Sequence, residues 1–135
     1  MRIVNRFVGR AGHPLLADEL DLDAYLSLRH IQVSMRGDPH GIVGDLLDHL
    51  GRRRNVVLTV GHFLMAPILV QQSDLVATEP RRLFEKWKDS EPLRFVWPPL
   101  AIPSFRVVQT WHSRHDNNPA HIWLRTLMRG VASQV

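Results

Sequence analysis

Alternation between two kinds of segment constrains the fold of this chain more than any other feature. From about residue 30, short runs rich in β-branched residues alternate with amphipathic segments that have helical spacing. Such alternation is typical of βαβ units, in which parallel strands pack against flanking helices. We predict strands at 30–35 and 56–60, separated by a helix that begins near Gly41 and ends at Gly51. The sequence therefore predicts an α/β fold with a mixed, mostly parallel sheet and flanking helices.

The individual segments carry more local signals. The apolar run at 56–60 suits a strand buried on both faces, which we place centrally in the sheet. Pro67 is compatible with a helix over 63–72 only in its first turn. The last helix has the clearest start, because Asn118 suits the N-cap and Pro119 the first helical position. Its apolar stripe fits either core or a docking face. The remaining predicted elements are strands at 75–78, 93–97 and 105–112, and a helix that starts at Pro80 and carries Leu83, Phe84 and Trp87 inward.

Composition narrows the class of protein. The 135 residues, 44% of them hydrophobic, suffice for one compact unit and not for two ordinary domains. The chain has no Cys, so disulfides, thiolate catalysis and Cys-based zinc sites are excluded. No run reaches the roughly 18 apolar residues of a membrane span, and the N-terminus lacks a signal-peptide pattern. We therefore expect a soluble, cytoplasmic chain that has no membrane contact.

A possible metal site lies near the C-terminus. His112, His115 and Asp116 fall close together, and His121 follows one turn into the last helix. Imidazole and carboxylate are legitimate zinc or iron ligands. The spacing is loose, however, and Arg114 adds a positive charge that opposes a divalent cation. We predict solvated turn residues here, with no metal and no cofactor.

Catalysis and nucleic-acid binding are two functions for which the sequence carries little support. It has no nucleophile elbow, phosphate-binding loop or metalloprotease helix motif. Asp45 and Asp48 lie one helical turn apart, where carboxylates are usually just solvated. We therefore expect that the chain is not an enzyme.

The basic residues allow a second function, nucleic-acid binding. The net charge of +4 comes mostly from Arg, and the densest cluster follows a helix end, where the helix dipole stabilises cations. Phosphate contacts could come from Arg52, Arg53, Arg54, Arg81, Arg82, Lys86 and Lys88, with Trp87 as a stacking surface.

Several short strings occur in a fixed order along nearly the whole chain. They are GHPL at 12–15, VSMRGDP at 33–39, GHFL at 61–64, SDLVATEPRRL at 73–83, WH at 111–112 and PAHIWLR at 119–125. Together they resemble the LysR-type transcriptional regulators, in the second half of the effector-binding region. The resemblance implies one lobe of a type 2 periplasmic-binding-protein-like fold, within a regulator that senses a small molecule. No catalytic step is expected.

The same resemblance implies a division of the chain. Residues up to about 97 would build the second subdomain of the sensing region, and about 105–135 would supply a strand and a helix that return to the first. A winged-helix DNA-binding region would lie outside this sequence, so we expect DNA contact only through a domain that the sequence lacks. Edge strands left unpaired by the missing half predict a dimer or a swapped assembly.

The effector is expected at the carboxyl ends of the strands. Ligands of open α/β sheets collect there, and helix N-termini direct free N–H groups to the same edge. A small anion would suit those N–H groups and nearby hydroxyls. The predicted effector-binding residues are Ser34, Arg36, Gly61, His62, Phe63 and Thr78. Alternatively, Ser34 and Thr78 cap helices, Asp38 closes a turn and Phe63 is core. The runner-up function is a small-molecule or solute-binding domain outside transcription, since fold alone does not decide function.

Overall fold

The computed structural model describes residues 2–82 and 93–134. The chain divides into two compact units, one formed by Val4–Pro103 and the other by the two ends of the chain. The elements, in chain order, are β1 Arg2–Ile3, β2 Asn5–Arg10, α1 Leu22–Ser27, β3 Arg29–Val33, α2 Gly41–His49, β4 Asn55–Val60, α3 Met65–Gln71, β5 Leu75–Pro80, β6 Leu93–Val96, β7 Phe105–Arg106 and α4 Pro119–Ser133.

A five-stranded sheet in the order β4-β3-β5-β2-β6 organises the larger unit. Strand β3 runs parallel to both of its neighbours, β4 and β5. Strand β2 is antiparallel to both β5 and β6. Four of the five strands therefore point the same way and β2 opposes them, which confirms the predicted mixed, mostly parallel α/β architecture.

Helices cover both faces of this sheet. On one face, α1 and α2 bury Tyr25, Val43 and Leu47 against strand residues such as Phe7 and Val76. On the other face, α3 contributes a second buried cluster together with Val8, Ile31, Val33, Val60 and Ala77. Neighbouring strand residues go to opposite clusters, as the two-residue period of a strand requires.

The helix boundaries follow local chemistry. Helix α2 begins at Gly41 and ends before Gly51, whose φ of 64° supplies the left-handed residue of the cap. The Arg52 N–H then bonds to the Leu47 carbonyl at 2.9 Å. Pro67 lies in the first turn of α3, as predicted. Helix α1 has no counterpart among the predicted elements, although the Asp21 carboxylate accepts a hydrogen bond from the Ala24 N–H at its N-cap.

The prediction of a central, fully buried strand at 56–60 is wrong. Strand β4 is the outer strand of the described sheet, and Val57 and Leu58 are 40% and 36% exposed. Only β3 pairs with it among the described residues. An apolar, β-branched run satisfies strand propensity at an edge as well as in the centre, so composition alone does not locate the strand within the sheet.

Two further predictions need correction, and a third lies outside the described residues. The strand expected at 105–112 is only two residues long, β7, and residues 107–112 have no regular structure. Pro80 ends β5 and does not begin a helix as its first residue. Pro is compatible with the end of a strand because its missing N–H leaves no ladder bond broken there. The inward positions predicted for Leu83, Phe84 and Trp87 lie outside the described residues.

The smaller unit contains the β1–β7 pair, a 3-10 turn at Ser113–His115 and α4. The predicted start of α4 is confirmed, since Asn118 is the N-cap, accepts a hydrogen bond from the His121 N–H, and precedes Pro119 at N1. The large apolar side chains of the predicted stripe are all at least 44% exposed, namely Trp123, Leu124, Leu127, Met128 and Val131. No helix within the described ranges 2–82 and 93–134 is long and apolar enough to cross a membrane.

Candidate ligand site at the carboxyl edge of the sheet

The carboxyl ends of β3 and β4 meet at one edge of the sheet. Val33 and Val60 are register partners, and the Ser34 N–H donates to the Val60 carbonyl at 2.9 Å. Ser34 and Gly61 therefore leave the two strands side by side, as the sequence predicts for parallel neighbours.

A tight turn follows Ser34. Its carbonyl accepts from the Gly37 N–H at 3.2 Å, and Gly37 takes a φ of 75° that favours glycine. The Ser34 hydroxyl accepts from the Asp38 N–H at 3.1 Å, and Asp38 Oδ1 accepts from the His40 N–H at 2.9 Å. The turn role proposed for Asp38 is thus observed. The Ser34 hydroxyl keeps its own proton available for an acceptor on a ligand.

The side chains predicted to meet an effector are mostly open to solvent at this edge. Arg36 is exposed in the turn, and Gly61, His62 and Phe63 are exposed in the loop before α3. Phe63 is 42% exposed, so it is not a core residue. The loop is nevertheless ordered by the Met65 N–H, which donates to the His62 carbonyl at 3.1 Å. These groups offer a cation, a hydroxyl and an aromatic surface to a ligand.

Thr78 differs from the other five predicted residues because it lies within a strand and not in a loop. It is paired in register with Phe7 inside the sheet, two positions before the end of β5. Its hydroxyl lies 2.9 Å from the Tyr25 hydroxyl beneath α1, where either group is able to donate. The structure therefore places Thr78 in a contact between sheet and helix, two residues before the end of β5.

Glu79 is a buried ionisable residue to which the sequence assigns no individual role. It is only 5% exposed near the end of β5. Burial raises its pKa to about 8, while a hydrogen bond from the Val33 backbone and the positive charge of Arg54 act in the opposite direction. A signal for this burial exists in the sequence, since Glu79 follows Ala77 at the two-residue spacing of a strand face.

His30 is a second buried ionisable group. It is fully buried, its ring centroid lies 4.7 Å from that of Tyr25, and its Nε2 lies 2.8 Å from the Tyr25 carbonyl. Nε2 therefore donates, and Nδ1 has no hydrogen-bond partner among the residues that the structure describes. Burial lowers the pKa of His30 to about 4, so the ring is neutral near pH 7. It packs as an aromatic core residue beside Phe7.

A cleft of about 520 Å³ lies elsewhere in the larger unit, between α2 and the start of β4. None of the six predicted effector residues lines it, although His40 at its rim belongs to the same loop as Ser34. Its walls include Leu47 and Asp48 of α2, and its floor carries Arg52, Arg53 and Arg54. The cleft and the predicted effector residues therefore lie at different places in this unit.

The four candidate metal ligands have other partners. Asp116 accepts from the Trp111 indole N–H at 2.8 Å, and the His115 and His121 rings stack with centroids 4.7 Å apart. Arg125 approaches His121 at 3.1 Å and the Trp111 ring at 4.4 Å. Within the part of the chain that the structure describes, no three His, Asp or Glu side chains are placed to hold a metal ion.

The basic residues named as possible phosphate contacts include three arginines that line the cleft between α2 and β4, Arg52, Arg53 and Arg54. Arg52 forms an ion pair with Asp23, and Arg54 donates to the Gln32 carbonyl oxygen. The Gly51 and Arg52 N–H groups cap the end of α2 by bonding to the Asp48 and Leu47 carbonyls, and the three arginines line the cleft beside that end. Lys86, Trp87 and Lys88 lie outside the described residues.

Residues 6–133 match the family model described as the LysR substrate binding domain. The HTH-type transcriptional activator NahR of Pseudomonas putida is 33% identical over 88% of this chain and 40% of its own length. The crystal structure of a probable transcriptional regulator from Pseudomonas aeruginosa superposes with a TM-score of 0.85 at 28% identity, covering 96% of this chain and 43% of that one.

A more distant likeness concerns the fold alone. The effector binding domain of QuiR in complex with shikimate has a TM-score of 0.60 at 14% identity, over 93% of this chain and 59% of that chain. With respect to length, this chain spans about 40% of a curated relative such as NahR. Relatives such as NahR, LinR and SyrM are HTH-type transcriptional activators or regulators, the class that the sequence predicts.

Proposed function

Because the chain belongs to the LysR substrate binding domain family, we propose that it supplies one lobe of the effector site of a transcriptional regulator, and that the effector is a small anion. The observation that carries this proposal is the adjacency of Ser34 and Gly61 at the open carboxyl edge of the sheet. Effector sensing is the role of this domain in its family, and the edge supplies the chemistry for it.

Several groups at the edge favour an anion. Arg36 contributes a positive charge and is exposed beside the turn. The Ser34 hydroxyl has a free proton to donate, and Phe63 offers an aromatic surface for an apolar part of the ligand. QuiR, whose effector domain shares the fold, binds shikimate, which is a carboxylate. Thr78 would contribute indirectly, by holding Tyr25 and therefore the sheet beneath the edge.

The proposal is tested in a full-length regulator that contains this segment. Ser34→Ala and Arg36→Ala are expected to abolish the transcriptional response to inducer and to leave operator binding intact. Arg29→Ala serves as a matched control, since Arg29 is an exposed arginine at the start of β3, at the opposite end of the strand from this edge. An unchanged inducer response in both edge variants would overturn the proposal.

We propose further that the domain associates with a second copy through β4. Its outer edge is unpaired among the described residues, and Val57 and Leu58 are exposed along it. Light scattering over a range of concentrations should show a dimer, and Leu58→Lys should weaken it. A stable monomer of the unmodified chain at high concentration would contradict this.

Location and DNA contact are properties of the regulator as a whole. We propose that the parent protein works in the cytoplasm, as a regulator that reaches DNA through a region outside this sequence. Subcellular fractionation of the full-length protein, together with operator binding by that protein and none by this segment, would test both statements.

A further inference from the structure

The cleft between α2 and β4 carries positive charge that the described part of the chain does not neutralise. Of the three arginines that line it, Arg52 is paired with Asp23. Arg54 donates to neutral oxygens, the side-chain carbonyl of Gln32 and, at 3.3 Å, the backbone carbonyl of His40. Among residues 2–82 and 93–134, neither Arg53 nor Arg54 has a carboxylate within ion-pair distance.

Among the arginines of the cleft, Arg54 most clearly lacks partners for its charged group. Its Nε is buried and has no hydrogen-bond partner in the described structure. Burying an ionised group is costly unless an opposite charge and hydrogen-bond acceptors compensate for the lost water. The buried Glu79 interacts electrostatically with Arg54, but the two side chains form no ion pair in the described structure. A bound anion would supply both the opposite charge and the hydrogen-bond acceptors, since a guanidinium presents several N–H donors in one plane.

The carboxylate in the cleft wall, that of Asp48, already has a partner in His40. Asp48 Oδ2 lies 3.3 Å from His40 Nε2, and Asp45 Oδ1 lies 3.1 Å from the same nitrogen. The His40 ring reaches both because it lies across Gly44, where a Cβ atom would stand 2.6 Å from Nδ1. This arrangement holds the Asp48 carboxylate toward His40, so among the described residues no carboxylate of the cleft wall forms an ion pair with Arg53 or Arg54.

We propose that this cleft is a second ligand site, which takes a small dianion such as a dicarboxylate or a phosphate through Arg53 and Arg54. The volume of about 520 Å³ lies within the range of small-molecule sites. Val56, which is only partly buried, provides an apolar surface for a carbon skeleton. The site is separate from the effector edge, so it stands or falls independently of the function proposed above.

The site also touches the loop at 34–40 that leads from the effector edge to α2. The Arg54 guanidinium donates to the His40 carbonyl, the His40 N–H donates to Asp38, and the Asp38 N–H donates to the Ser34 hydroxyl. An anion that draws Arg54 into the cleft would act on the first bond of this series. Chemical shifts of the 34–40 backbone amides therefore provide a second readout of binding.

Titration calorimetry of the intact chain with succinate and with inorganic phosphate tests the proposal, against sodium chloride at equal ionic strength. We expect saturable binding of at least one of the two anions. Arg53→Gln should weaken it about tenfold or more, whereas Arg53→Lys should retain part of it. Arg53 is exposed, so its replacement leaves the fold intact. Arg54→Gln should remove binding, and its fold is checked by circular dichroism.

Arg129→Gln is the matched control, because Arg129 is an exposed arginine of α4 that belongs to neither proposed site. It should leave the affinity unchanged. The proposal is overturned if neither anion binds at millimolar concentration, if Arg53→Gln binds as tightly as the unmodified chain, or if Arg36→Gln removes binding. The last outcome would instead assign the anion to the effector edge.

Discussion

Apolar side chains are buried in the sheet of the Val4–Pro103 unit and exposed in the C-terminal helix α4. Phe7, Tyr25, Ile31 and Val76 are fully buried in the sheet unit. In α4 no described residue is buried, and Trp123 is 65% exposed. Yet α4 carries the stronger start signal, with an Asn N-cap and Pro at N1. Local capping chemistry predicts where a helix begins, and it says nothing about whether the helix has anything to pack against.

The largest expected effect contrasts one aromatic residue from each region. Phe7→Ala should destabilise the sheet unit by about 3–5 kcal/mol, because it removes a fully buried ring and leaves a cavity. Trp123→Ala should change the free energy of unfolding by less than about 0.5 kcal/mol, as is typical of exposed positions. Urea denaturation followed by circular dichroism measures both. Equal losses would show that α4 is buried against another part of the protein.

The next effect concerns pH and belongs to the sheet unit alone. The pKa of His30 falls from 6.5 to about 4 on folding, so its contribution to stability is present above pH 6.5 and is lost as pH falls toward 4. The pKa of Glu79 rises from 4.5 to about 8, so its contribution is present below pH 4.5 and is lost as pH rises toward 8. The two slopes oppose each other between pH 4.5 and 6.5, which predicts a broad plateau there.

The variant Glu79→Gln distinguishes the pH dependence of stability due to Glu79 from that due to His30. Above pH 6.5 only Glu79 contributes a slope, and stability should fall on the order of 2 kcal/mol by pH 8. The amide mimics the protonated carboxyl group, so the variant should lose this decline and keep the loss at low pH. Thermal denaturation between pH 4 and 8 measures it, with Glu19→Gln as an exposed control. An unaltered decline in Glu79→Gln would refute the assignment.

A smaller effect tests the autonomy of α4. Asn118→Ala removes the acceptor for the His121 N–H and should cost the helix about 1 kcal/mol. Amide hydrogen exchange should quicken in the first turns of α4, while the sheet amides stay protected. Asn117→Ala removes an exposed neighbour that is not the cap and should leave exchange unchanged. Slower or equal exchange in Asn118→Ala would contradict the capping role.

The smallest effects come from one glycine in each region. Gly130→Ala in α4 should stabilise the helix by roughly 0.5–1 kcal/mol, since nothing lies within 4 Å of the added Cβ. Gly44→Ala in α2 should gain less, because the His40 ring must move away and give up its contacts with Asp45 and Asp48. Melting temperatures compare the pair, and a larger gain at Gly44 would count against the His40 contact.

Much of the fold is predictable because its signals are local. Gly51 ends α2, Pro67 fits the first turn of α3 and Asn118 starts α4, each through the backbone chemistry of one or two residues. The position of β4 is not predictable in this way. Its place at the edge depends on which strands pair, and pairing is a long-range property that β propensity does not report.

The candidate site also has features that local sequence predicts and features that depend on long-range packing. Parallel neighbours place Ser34 beside Gly61, and this follows from strand direction alone. The sequence predicts Thr78 at the same edge because it ends a short predicted strand, but β5 continues to Pro80 and leaves Thr78 inside the sheet. The burial of His30 and Glu79 depends on helices that pack over the sheet from distant parts of the chain, which a local pattern does not reveal.

The antiparallel strand β2 also has a consequence for how the chain folds. It is the earliest strand of the sheet in the sequence, yet its partners β5 and β6 come last, with Val8 paired to Ala77 about 70 residues later. Closing so long a loop has to precede any gain from those pairings, and non-local pairings of this kind slow folding. During synthesis β2 therefore has no partner strand until β5 has been made, and the β2–β6 side of the sheet is completed last.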